Sequence, residues 1–144
     1  GLCYSIYASA WGLKDCGMFN IHAATGPELV GDLAEVIAGE IENCAEGGIT
    51  VEEVMRAKAQ IKAGILMSLE SSGARAEQLA RQLLTRGRII DPESVIARVE
   101  EQTTETLTAF ARRLLSSGRR AVAVVGAGRD SVDLADSVHD RLAA

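Results

Sequence analysis

Aromatic residues are scarce in this chain: Tyr4, Tyr7, Trp11, Phe19 and Phe110 are all it has, and four of the five precede residue 20. Proteins that stack nucleic-acid bases interleave aromatic with basic side chains. The basic stretch between residues 56 and 90 has no aromatic and the whole chain carries a net charge of −5, so nucleic acid is excluded as a partner. No run of about 18 uncharged apolar residues is present, which excludes a membrane-spanning helix, and no basic, apolar and small-residue order marks a signal peptide. Cysteine occurs three times, as Cys3, Cys16 and Cys44, with no Cys-x-x-Cys pair. An odd count without that spacing fits neither a disulfide framework nor a zinc ribbon, and a reducing, cytoplasmic compartment is expected. The two histidines, His22 and His139, form no His-x-x-Glu-His, His-Glu-x-x-His or Cys/His cluster, so no zinc site is expected from this chain alone. His22 reads as a partly buried residue of a strand and His139 as a surface residue of a helix. A Gly-x-Ser-x-Gly elbow and a Walker loop are also missing.

What is there is the composition of one globular domain. At 144 residues, with 47% hydrophobic and 24% charged residues, folding buries roughly 68 to 70% of the unfolded surface. The opening on Gly1 rather than Met reads as the start of a piece of a longer chain. Charge is uneven: residues 1 to 55 hold one Lys and nine acids, residues 56 to 90 seven bases and two acids, and the remainder seven bases and nine acids. This fits an acidic third facing basic ligands, or helix faces of opposite sign that neutralise each other.

Residues 2 to 11 alternate, with Tyr4 and Ile6 on one side and Cys3 and Tyr7 on the other; residues 18 to 25 alternate again, and Gly12 to Gly17 is turn-like. An antiparallel hairpin is predicted. Thr25-Gly26-Pro27-Glu28 reads as a capping box opening a helix that carries Leu33, Val36, Ile37 and Ile41 as far as Gly47. Thr50-Val51-Glu52-Glu53 repeats the box, and a helical period then runs 37 residues from Thr50 to Arg86 through Ser71-Ser72-Gly73, read as one long, bent helix. Asp91-Pro92 and Thr103 open two more helices, residues 120 to 126 read as a late strand, and Ser131 to Ala144 as a final helix. The expected fold is α+β: an antiparallel sheet of the hairpin plus the late strand, covered by four to five helices, in a single domain over 1–144. Gly126-Ala127-Gly128 suggests a dinucleotide turn, but Ser131 replaces the third glycine and no second strand follows, so a plain strand-to-helix turn is preferred.

Several motifs occur together in order: Gly1-Leu2-Cys3-Tyr4-Ser5, Asp15 to Phe19 before Thr25-Gly26-Pro27, Gly48-Ile49-Thr50 with Glu52-Glu53, Arg56-Ala57-Lys58-Ala59-Gln60, Glu70-Ser71 with Arg75, and Gly87-Arg88. The ordered set, running to about Gly126, resembles the pitrilysin or insulinase family of zinc metallopeptidases. The resemblance is to the C-terminal, non-zinc-binding half of a bacterial, mitochondrial-processing-peptidase-like member. It implies two homologous α+β halves closing around an unfolded peptide, with zinc held by an inverted His-x-x-Glu-His in the N-terminal half and no cofactor here. It further implies a partner half or chain bearing that motif, and several dozen preceding residues that supply the first strands. An active-site Tyr following the Gly-Leu pair maps onto Tyr4, and the Arg that accompanies it would precede Gly1. A phenol O–H aimed at the scissile carbonyl would strengthen its hydrogen bond as negative charge develops, while zinc acts as Lewis acid and a glutamate as general base. Without the resemblance, Tyr4 is a strand residue beside Ile6. The resemblance also extends to proteolytically silent relatives that serve as structural subunits of respiratory complexes. Either way the isolated chain should be inactive, and its unpaired strand edges should lead it to self-associate.

Overall fold

Alternation in the first 25 residues is realised as a two-stranded antiparallel hairpin, β1 (Ser5–Gly12) and β2 (Gly17–Ala24). The computed structural model describes residues 1–128 and 131–143. A tight turn centred on Lys14 and Asp15 is closed by the Leu13 N–H donating to the Cys16 carbonyl at 2.7 Å. The turn sets the register, placing Ser9 opposite Asn20 and Tyr7 opposite His22, and these pairs meet on one face.

The entry to the first helix differs from the expected capping box. Thr25 donates its hydroxyl to the Leu2 carbonyl at 2.7 Å, fastening the hairpin's open end instead of capping a helix. Pro27–Leu29 forms a 3-10 turn that leads into α1 (Val30–Glu46). Gly47 stops α1 in the left-handed conformation at φ 103°, where a side chain would be strained. Helix α2 (Val51–Ser68) opens with both bonds of the Thr50/Glu53 capping box formed.

The long helix expected from Thr50 to Arg86 is two helices. At Leu69 and Glu70 the backbone tightens to i→i−3 hydrogen bonds, Ser71 turns extended, and its hydroxyl accepts from the Ala74 N–H to cap α3 (Ser72–Arg86). No apolar residue larger than alanine lies between Leu69 and Leu79, so the local serine cap decides the junction. Asp91 caps α4 (Pro92–Glu100), followed by α5 (Thr104–Ser116) and α6 (Ser131–Arg141). The fold is therefore α+β, with six α-helices among the described residues.

The late strand does not form among the described residues. Val122 and Val124 are half-buried while Ala121 and Ala123 are exposed, so the period-two pattern is present, but no backbone lies alongside to complete a ladder and Val125 stands 94% exposed. A strand is defined by its neighbour, and alternation alone does not supply one. In the glycine turn that follows, Gly126 and Gly128 both take positive φ, and Arg129 and Asp130 lie outside the described residues.

Contacts divide the chain into two compact units. The first comprises residues 1–9, 20–49 and those from 105 onward; the second comprises residues 10–19 and 50–104. In the first unit α1 is the organiser: Leu33, Ala38 and Ala45 are buried on it, α6 packs against it with Val138 buried, and Thr108 is buried on α5. Its C-terminal turn carries no base of its own. Arg112 of α5 donates Nε to the Ala45 carbonyl at 2.6 Å, satisfying one of the carbonyls a helix end leaves open and placing a cation at the negative end of its dipole. In the second unit α2 packs on α4 with Val54 buried, and Lys58 reaches the Glu100 carbonyl at 2.7 Å.

Gly64 sits in the middle of α2, and a Cβ added there meets nothing within 4 Å. Gly64→Ala is therefore expected to stabilise the chain by about 0.5 to 1 kcal/mol, raising the thermal midpoint. Gly47→Ala, at its positive φ, is expected to lower it.

Candidate functional site

Tyr4 stands just before β1, and its place is fixed by the backbone: its N–H donates to the Ala24 carbonyl at 2.8 Å. The side chain is 83% exposed and its hydroxyl has no hydrogen-bond partner among the described residues. A phenol held by its main chain but unengaged at its oxygen is free to donate to a group brought from outside. The neighbouring Thr25–Leu2 bond clamps the same end of the hairpin.

Three residues farther along, Tyr7 stacks on His22 with ring centroids 5.0 Å apart and planes inclined by 13°. His22 is thus exposed and stacked rather than half-buried as its strand position suggested. Beyond it, Asn20 donates to the Ser9 hydroxyl at 2.7 Å. The Asn20 side-chain oxygen is buried without a partner. This pairing could have been counted from the turn centre in the sequence, since residues equidistant from Lys14-Asp15 face each other.

Zinc, which the motifs associate with a distant half, has no ligand set here. Among the described residues no three of His, Cys, Asp and Glu converge. His22 is committed to Tyr7, His139 lies beside Asp140 on α6, and none of the three cysteines is in a disulfide with another. The donors present do not fit a tetrahedral zinc. No helix of the described residues is long and apolar enough to cross a membrane.

The strongest charge cluster is structural. Arg141 on α6 gives Nε and Nη2 to the two carboxylate oxygens of Glu42 at 2.9 and 2.7 Å, and Nη1 to Glu35, all on α1. The Arg141 hydrogen bond holds the Glu42 carboxyl below its ordinary 4.5, against a smaller opposing effect of desolvation. Lys62 does the same for Glu100 through a side-chain hydrogen bond. A carboxyl whose pKa falls on folding adds stability above its unfolded pKa and loses it as pH drops through the folded one. The thermal midpoint should therefore be flat down to about pH 5 and fall below it. Arg141→Gln should flatten the acid limb, and high salt should shrink the difference because the Arg141–Glu42 pair is only partly buried. Thermal melts of both proteins from pH 7 to 3 check this.

Residues 1–61, which contain the hairpin, Tyr4 and α1, match the profile of the Peptidase M16 inactive domain. The chain is 32% identical over 144 residues to an uncharacterized zinc protease of Streptomyces coelicolor, covering 99% of this chain and 30% of that protein. It is 33% identical over 126 residues to the probable mitochondrial-processing peptidase subunit beta of Schizosaccharomyces pombe, covering 87% of this chain and 27% of that one. It is 28% identical over 113 residues to human cytochrome b-c1 complex subunit 2, covering 78% of this chain and 25% of the relative. The chain belongs to the M16 family of peptidases, the pitrilysin or insulinase family, as its C-terminal inactive domain. It spans about 30% of the length of the zinc protease it matches throughout.

Proposed function

We propose that this chain is the larger part of the zinc-free domain of a metalloendopeptidase, closing the chamber that holds an unfolded peptide and presenting Tyr4 to the site formed with the N-terminal half. The observation that carries the reading is Tyr4 itself: an exposed phenol, positioned by its own main chain and with its oxygen uncommitted. As the scissile carbonyl becomes tetrahedral its oxygen gains negative charge, and an O–H held in place beforehand donates to it without the reorganisation water would require. The partner is the half or chain bearing His-x-x-Glu-His, in a reducing, cytoplasmic setting, which an odd cysteine count without a Cys-x-x-Cys pair supports. Complementation tests it: the zinc-bearing half and this chain, each inert alone, should together cleave an unfolded peptide, and a zinc-bearing half fully active by itself would overturn the reading.

A second reading is favoured by the likeness to a cytochrome b-c1 complex subunit. In it the chain is a proteolytically inactive assembly domain, and the combined halves would associate without cleaving peptide.

A further inference from the structure

Among the residues that carry the family resemblance, Arg75 has no place in the reading above. It lies in the first turns of α3, exposed, and its guanidinium has no hydrogen-bond or ion-pair partner among the described residues. Three other bases of the second unit are paired, Arg81 with Glu77 on its own helix and Lys58 and Lys62 with Glu100; Arg86 and Arg88 are unpaired among the described residues but do not line the cavity beside Arg75. Arg75 lines a cavity of about 240 Å³ between α3 and the segment leading into α4. Half-buried Leu69, Leu79, Ile90 and Pro92 form its apolar wall.

The other polar groups on the lining are largely committed. Gln82 Oε1 accepts the Ile90 N–H at 2.8 Å, and Asp91 Oδ1 accepts the Glu93 N–H at 3.3 Å as the cap of α4. Gln78 remains, adjacent to the apolar wall. The site thus offers one planar cation, the amides of Gln78 and Gln82, an aliphatic surface, and the second oxygen of the Asp91 carboxylate, an acceptor suited to a peptide N–H. A guanidinium fork matches a carboxylate in two parallel hydrogen bonds. A phosphate would leave the apolar wall unused. The volume is below the roughly 300 to 1,000 Å³ of sites for drug-sized ligands, which leaves room for about one residue.

We propose that this cavity is a secondary peptide-binding site that takes the carboxyl-terminal residue of a peptide: Arg75 holds the terminal carboxylate and the Leu69–Leu79–Ile90 wall holds an aliphatic side chain. The choice of a peptide as occupant rests on the peptide-handling function proposed above. The binding itself does not, because it needs no catalytic half.

N-acetylleucine is the probe, titrated into the isotopically labelled 144-residue chain at a concentration that sedimentation shows to be free of assemblies, and followed by backbone amide resonances. Saturable shifts at Arg75, Leu79 and Ile90 are expected. N-acetylleucinamide, which lacks the carboxylate, should bind at least tenfold more weakly to the same protein. Arg75→Gln should weaken N-acetylleucine at least tenfold, and Arg86→Gln should leave it unchanged. Equal binding of acid and amide, undiminished binding to Arg75→Gln, or no saturable shift would each overturn the site. Free leucine binding as tightly as N-acetylleucine would overturn the peptide as its occupant.

Discussion

Tyr4→Phe in the intact peptidase is expected to lower kcat by roughly 10² to 10³ with KM little changed, the loss that follows removal of one transition-state hydrogen-bond donor worth about 3 to 4 kcal/mol. The ring is retained, so any contact its apolar part makes with a partner half survives. The hydroxyl touches nothing among the described residues, so the thermal midpoint should not move. That pairing of outcomes separates a donor to the developing oxyanion from a residue that merely fills space, since Tyr4→Phe would leave a packing role nearly untouched. Steady-state kinetics of wild type and variant on one unfolded peptide make the comparison. Unchanged turnover in an active enzyme would remove Tyr4 from the site.

The 144-residue chain produced alone is expected to gain mass with concentration. Its only sheet among the described residues has two strands, and a hairpin of that size is marginal in water unless something covers it. Ile6, Tyr7, Met18 and Phe19 all stand more than two-fifths exposed, and both outer edges present backbone N–H and C=O groups to any extended chain. Natural edges are protected by proline or by lysine within the strand. Here the strands have neither, because Lys14 sits in the turn. Sedimentation at roughly 1 to 100 µM should show growing assemblies, in the range where hydrophobic edge pairing competes with dissociation. The same chain extended at its N-terminus by further strands of the sheet should show less. A monomer throughout, unfolding cooperatively, would mean that the hairpin is adequately covered within the chain.

Local chemistry was legible wherever it was self-sufficient. The hairpin turn, the Thr50/Glu53 box, the Asp91 cap and the glycine stop at 47 each depend on residues within a few positions of one another, and each formed. The failures share a different cause. Thr25 could cap a helix or bind Leu2, and a partner 23 residues away won it. The valines at 122 and 124 alternate correctly, yet a strand needs a neighbour that no local pattern announces. Ser71 was visible as an interruption, but whether a helix bends or restarts there depends on packing across the break. At the candidate site, Tyr4 was found through the family motif, whereas its exposure and free hydroxyl are properties of the fold. Arg141 carries no local signal at all, since its partners lie 99 and 106 positions back.

That last separation has a consequence for how the chain assembles. The first unit is discontinuous: α1 is made early, its clasp Arg141 comes at the far end, and the whole of residues 50–104 is laid down in between. Closing that loop of about 100 residues costs only about 0.8 kcal/mol more than the loop that brings Lys58 to Glu100, 42 positions on, so the order of synthesis rather than loop entropy separates the two units. On a ribosome adding roughly 5 to 20 residues per second, the second unit can therefore order itself while the first waits several seconds with the apolar stripe of α1 uncovered. Any truncation that removes α6 makes that wait permanent.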